Sequence, residues 1–121
     1  MHEAVLRHGI PKLVLAWTHS VSQALGLARC LSSPTSDIRF HHVLGSSVRD
    51  PSRRDAVARI QLGFSELPGI HWHAICLGFK RMNGQSRWLL HSEISEGALK
   101  AIELAAPVYT IGQTAPWKHR P

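Results

Sequence analysis

Apolar positions alternate or run on in five stretches and recur at helical spacing in three, so the chain predicts interleaved strands and helices. Leu13 to Trp17 is continuously apolar and reads as a strand buried on both faces at the centre of a sheet, with Lys12 at its start. Ser20 offers an N-cap with Gln23 three residues on, and Ala24, Leu25, Leu27, Ala28 and Leu31 form a helical stripe ending at Ser32-Ser33-Pro34. Ile38 to Leu44 predicts a second strand, with Ile38, Phe40 and His42 on one face and Arg39, His41 and Val43 on the other. Asp50 caps and Pro51 opens a second helix, from Pro51 to Ser65, along Val57, Ile60, Phe64 and Leu67. A strand competes there, because Ala58, Ile60, Leu62 and Phe64 also alternate.

Pro68-Gly69 breaks the chain before the apolar run Ile70 to Phe79, and Asn83-Gly84 separates that run from Arg87 to Leu90. Asn-Gly between two such runs predicts a hairpin, because both turn positions tolerate positive φ. Ser95 predicts the cap of a third helix over Glu96 to Ala105, with Leu99, Ile102 and Ala106 inward, and Pro107 ends it before a strand from Val108 to Ile111. The order β-α-β-α-β-β-α-β implies an α/β (α+β) fold, a mixed sheet of about five strands with three helices. One domain spans residues 1–121, with irregular arms expected at 1–9 and 113–121.

Composition narrows the class. Apolar residues make up 44% of the chain, as in a folded protein, and no run is long enough to cross a membrane. The start carries no secretion-signal pattern. Cys30 and Cys76 each lie in an apolar stretch, which suits a reduced, cytoplasmic compartment without a disulfide. The formal charge of +6 points to an anionic partner, with nucleic acid foremost. Basic residues fall into three groups: Arg49, Arg53, Arg54 and Arg59; Lys80, Arg81 and Arg87 at the hairpin tip; and Lys118 with Arg120, beside which Trp117 is placed to stack on a base or to anchor in a partner's pocket.

The segment Gly69-Ile70-His71-Trp72-His73-Ala74-Ile75 places two histidines on one face of a strand, where both imidazoles can turn toward one divalent metal. It resembles the His-hydrophobic-His motif of the HUH superfamily of rolling-circle replication initiators, relaxases and single-strand transposases. The resemblance implies a bound Mg²⁺ or Mn²⁺ held by His71 and His73 with Glu66 as an acidic ligand. It further implies Tyr109, the sequence's one tyrosine, as the nucleophile on a DNA phosphodiester. The plainer alternative has Trp72, Ala74 and Cys76 packing inward while the histidines line an exposed or half-buried face. Paired histidines, such as one of His41 and His42 with His71 or His73, could also serve a metal-independent ribonuclease as general acid and base.

Phosphate-loop, serine-elbow, Cys-x-x-Cys and His-Glu-x-x-His motifs are absent, so those chemistries have no motif support. The leading expectation is a small nucleic-acid-binding protein, HUH-like, of a phage, plasmid or other mobile element. The rival is a non-catalytic inhibitor or subunit that binds a larger nucleoprotein complex through its arginines.

Overall fold

The computed structural model describes residues 12–17, 20–45, 48, 55–115 and 117–121. Four strands form a parallel sheet: β1 (Leu13–Ala16), β2 (Ile38–Leu44), β3 (Ile70–Leu77) and β6 (Val108–Ile111), side by side in that order. Strands β4 (Phe79–Met82) and β5 (Gln85–Trp88) make a separate antiparallel hairpin. Helices α1 (Val21–Leu31), α2 (Ala56–Ser65) and α3 (His91–Leu104) complete the described architecture, with a short 3₁₀ turn at Trp117–His119. The fold is thus α/β with the predicted element order.

The first βα unit forms for the reasons its sequence suggests. Ser20 Oγ accepts the Gln23 N–H at 3.2 Å, and α1 buries Ala24, Ala28 and Leu31 against Val14, Ala16, Ile38 and Phe40. The segment after α1 is then tied to the start of β3: Ser32 Oγ–H and the Ser33 N–H both donate to Pro68 O, at 2.7 and 3.2 Å. Gly69 is required there. Its φ is +76°, and a Cβ would lie 2.5 Å from Ser36 O.

Strand β1 corrects one expectation. Among the described residues it is an edge strand, paired with β2 alone, and Val14 and Ala16 are buried while Leu13 and Leu15 are exposed on the other face. An unbroken apolar run imitates a central strand, because the pattern records side chains and not the neighbour on either side. The strand alternative for residues 58–64 is overturned by α2, which turns Phe64 into the core beside Phe40 and Trp72. The proposed start of α2, Asp50 and Pro51, lies outside the described residues.

The third helix begins earlier than its sequence suggests. Glu93 Oε1 accepts the Leu90 N–H at 2.8 Å, so α3 starts at His91 and Ser95 sits inside it. Its buried residues are Ala98 and Ala101, while Leu99 is 69% exposed. A Cβ on Gly97 would meet the Ile111 side chain at 2.5 Å. Small residues let this helix lie close to Val43, Ile75 and Ile111, which a stripe of leucines would prevent.

The two faces of the sheet differ in cover. Helices α1 and α2 pack on the face of Val14, Phe40, Trp72 and Ala74, whereas α3 packs on the face of Val43, Ile75 and Ile111. The strands advance in one direction across the sheet, so the connection from β3 to β6 has the opposite hand to the first two. At the carboxyl ends of β2 and β3 the chain therefore departs toward opposite faces. That is the position at which open α/β sheets leave a crevice.

The run Ile70 to Phe79 is two strands. β3 stops at Leu77, and Gly78 lets the chain pass so close to Gln113 that a Cβ there would overlap its carbonyl. Asn83 and Gly84 have φ of 53° and 77°, as the predicted primed turn demands. Phe79 and Gln113 exchange backbone hydrogen bonds of 2.8 and 2.9 Å, anchoring the hairpin beyond the end of β6. The stretch expected as an irregular C-terminal arm thus begins with a β-bridge and contains a helical turn. The expected arm at residues 1–9 lies outside the described residues. No helix among the described residues is long and apolar enough to cross a membrane. Both cysteines are free, but Cys30 is exposed on α1 and not a core side chain, as Cys76 is.

Candidate functional site

The histidines of β3 do share a face, as their spacing requires, yet each imidazole has its own partner. His71 Nε2 lies 2.7 Å from Asp37 Oδ1 at the surface, and His73 Nδ1 donates to Ala106 O at 3.0 Å. His73 also stacks on His41 of β2, with ring centroids 4.6 Å apart and planes at 14°. Stacked imidazoles hold their in-plane lone pairs parallel, so they do not converge on one ion. Glu66 caps the end of α2, which packs on the opposite face of the sheet from His71 and His73. Among the described residues no three metal-binding side chains come together. Tyr109 sits on β6 in register with Ile75, on the histidine side of the sheet, and is packed against the cluster under α3.

His41 and His42 are both buried, on opposite faces. His42 Nδ1 accepts the Trp72 indole N–H at 3.3 Å, whereas both ring nitrogens of His41 lack a hydrogen-bond partner among the described residues. Burial lowers both pKa values to about 4, helped at His41 by the neighbouring His73 and Arg39. Both imidazoles are therefore neutral near neutral pH. Neither is poised for proton transfer near neutral pH.

The cationic residues of the hairpin divide between its two faces. Lys80 and Arg87 are directly opposed, and both reach Glu93: Lys80 Nζ at 2.6 Å, Arg87 Nη1 and Nη2 at 2.7 and 3.2 Å. Hydrogen bonds from Arg87, the Leu90 N–H and Lys80 hold the Glu93 carboxyl well below the usual carboxylate range. This cluster fastens the hairpin to the first turn of α3. It was not expected from the sequence, where Glu93 stands two residues ahead of the supposed cap.

No family model matches the chain, and no curated protein or solved structure matches it significantly.

The other hairpin face carries Arg81, Ser86 and Trp88. Arg81 Nη1 donates to Ser86 Oγ at 3.3 Å, and Trp88 is 49% exposed. Among the described residues no carboxylate pairs with Arg81. The C-terminal turn brings further charge to it. His119 is held below its ordinary pKa first by burial and then by the positive charges of Arg81 and Lys118. His119, 38 positions from Arg81 in sequence, thus lies within electrostatic reach of both Arg81 and Lys118. Arg59 is exposed on α2, a separate element. Arg49, Arg53 and Arg54, with the Trp117 side chain, lie outside the described residues.

Trp88 also borders a cavity of about 160 Å³ at the carboxyl ends of β2 and β3, lined by Gly45, Leu77, Gly78, Trp88, Leu89 and Ile94. The crevice expected from the topology and the cavity coincide. Its lining is apolar, and its rim meets the cationic hairpin face at Trp88.

Proposed function

We propose that this protein binds nucleic acid through the hairpin face of Arg81, Ser86 and Trp88 together with Lys118 and Arg120 of the C-terminal turn. The observation that carries the reading is the pairing register, which puts an exposed indole and an arginine free of carboxylate partners among the described residues on the same face. Proteins that hold single strands combine these two features, cations along the backbone and an aromatic side chain on which a base stacks. The overall charge of +6 agrees with an anionic partner. Arginine suits the phosphate because its fork donates two parallel hydrogen bonds.

Fluorescence anisotropy with a labelled single-stranded oligonucleotide at low salt tests this. Arg81→Glu with Lys118→Glu should reduce affinity at least tenfold, while Arg59→Glu on α2 should change it little. Equal losses from both variants would mean that net charge alone, and not this face, governs binding. Absence of binding by the wild type at low salt would remove the reading and leave a protein partner for the same surface.

A further inference from the structure

Three places outside the cationic face could carry chemistry: the stacked His41–His73 pair, the exposed edge of β1, and the cavity beside Trp88. In the pair, His41 is buried beneath the parallel ring of half-buried His73, and nothing among the described residues indicates what covers the edge of β1. The cavity offers size, position and neighbouring charge together.

We infer that the cavity between the carboxyl ends of β2 and β3 and the hairpin receives a single nucleobase of the strand whose phosphates lie along Arg81 and Lys118. The inference rests on the proposed function and specifies its ligand. A dry cavity of about 150 Å³ admits one benzene ring, so about 160 Å³ is the space of one planar ring and not of a whole nucleotide. The sugar and phosphate must then stay outside. Outside, on the same hairpin face as Trp88 and one cross-strand pair further along, stands Arg81. Diagonal neighbours on a β-ribbon lie about 7–8 Å apart, a span that a nucleotide bridges between base and phosphate.

The lining explains the preference for a flat apolar group. Leu77, Leu89 and Ile94 supply aliphatic lining, Trp88 supplies an aromatic side chain, and Gly45 and Gly78 bring no side chain. Gly78 must be glycine for backbone reasons, because its Cβ would overlap Gln113 O. Gly45 has no such constraint: a Cβ there meets nothing within 4 Å, so the open space beside it is free to be filled.

That difference supplies the experiment. Affinity of the full chain is measured for a short oligothymidylate and for an abasic strand of equal length and charge, for the wild type and for Gly45→Phe, which adds a ring at a lining position with open space beside it. The wild type should bind the base-bearing strand about tenfold more tightly, at the lower end of what one stacked base contributes. Gly45→Phe should bring that ratio to about one without changing affinity for the abasic strand. Trp88→Ala, at another lining residue, should also lower the ratio and covers the case in which Gly45→Phe fails to fold, as judged by circular dichroism. Equal wild-type affinity for both strands would overturn the base site while leaving phosphate binding intact. Failure to bind either strand would overturn both. Binding of an aromatic peptide by the wild type and not by Gly45→Phe, without base dependence, would assign the cavity to a protein ligand and overturn the inference.

Discussion

The two faces of the parallel sheet are built on different principles. The face under α1 and α2 is closed by large aromatic side chains, Phe40, Phe64 and Trp72, and its one buried histidine has a hydrogen-bond donor. The face under α3 is closed by alanines and a glycine at its carboxyl half, while its amino half carries Arg39, His41, His71 and His73. A helix of small residues can sit low on a sheet but covers little of it. The cavity borders that helix at Ile94, and the hairpin is fastened to its first turn at Glu93.

The largest effect should come from the well-packed face. Phe64→Ala removes a fully buried ring that touches Phe40, His42 and Trp72, and should cost about 3–5 kcal/mol in denaturant unfolding. A cost below about 1 kcal/mol would mean that this face is not the stabilising one.

Acid titration probes one histidine on each face. Both fold with pKa lowered to about 4 from an unfolded value near 6.5, so the unfolded chain takes up protons first. Stability from this source is complete above about pH 6.5 and falls as pH drops toward 4. Each histidine should account for about 2 kcal/mol at pH 5. Stability that stayed flat from pH 7 to 5 would contradict the burial of both.

Substitution separates the faces further. His42→Phe leaves the Trp72 N–H without its acceptor and should cost about 1–2 kcal/mol, whereas His41→Phe removes two unpartnered buried nitrogens and should be neutral or stabilising. Equal losses in urea unfolding would erase the distinction. Gly84→Val should cost about 1 kcal/mol through the forced positive φ of the hairpin turn. Gly84 has open space around it, so no clash adds to that cost.

Local signals read well from the sequence where local physics decides. The Ser20 cap, the bounds of β2 and β6 and the Asn83-Gly84 turn are each set by neighbouring residues, and all stand as expected. Failures arise where the deciding partner is distant. Nothing near Leu13 reveals that β1 lacks a second neighbour among the described residues, and nothing near Leu99 reveals that Gly97 and Ala98 face the sheet instead. The site shows the same division. Spacing placed His71 and His73 on one face, but Asp37 and Ala106, which take up their nitrogens, are more than 30 residues away. Likewise Lys80, Arg81 and Arg87 read as one basic group until pairing and Glu93 divide them.

Contact of Arg81 and Lys118 with phosphates is measured most directly by the salt dependence of binding. On single strands the slope of log affinity against log salt is about −0.7 per phosphate neutralised. Arg81→Ala and Lys118→Ala should each make the wild-type slope shallower by about 0.7, and the double variant by about twice that. A slope unchanged by both substitutions, with affinity retained, would contradict the claim.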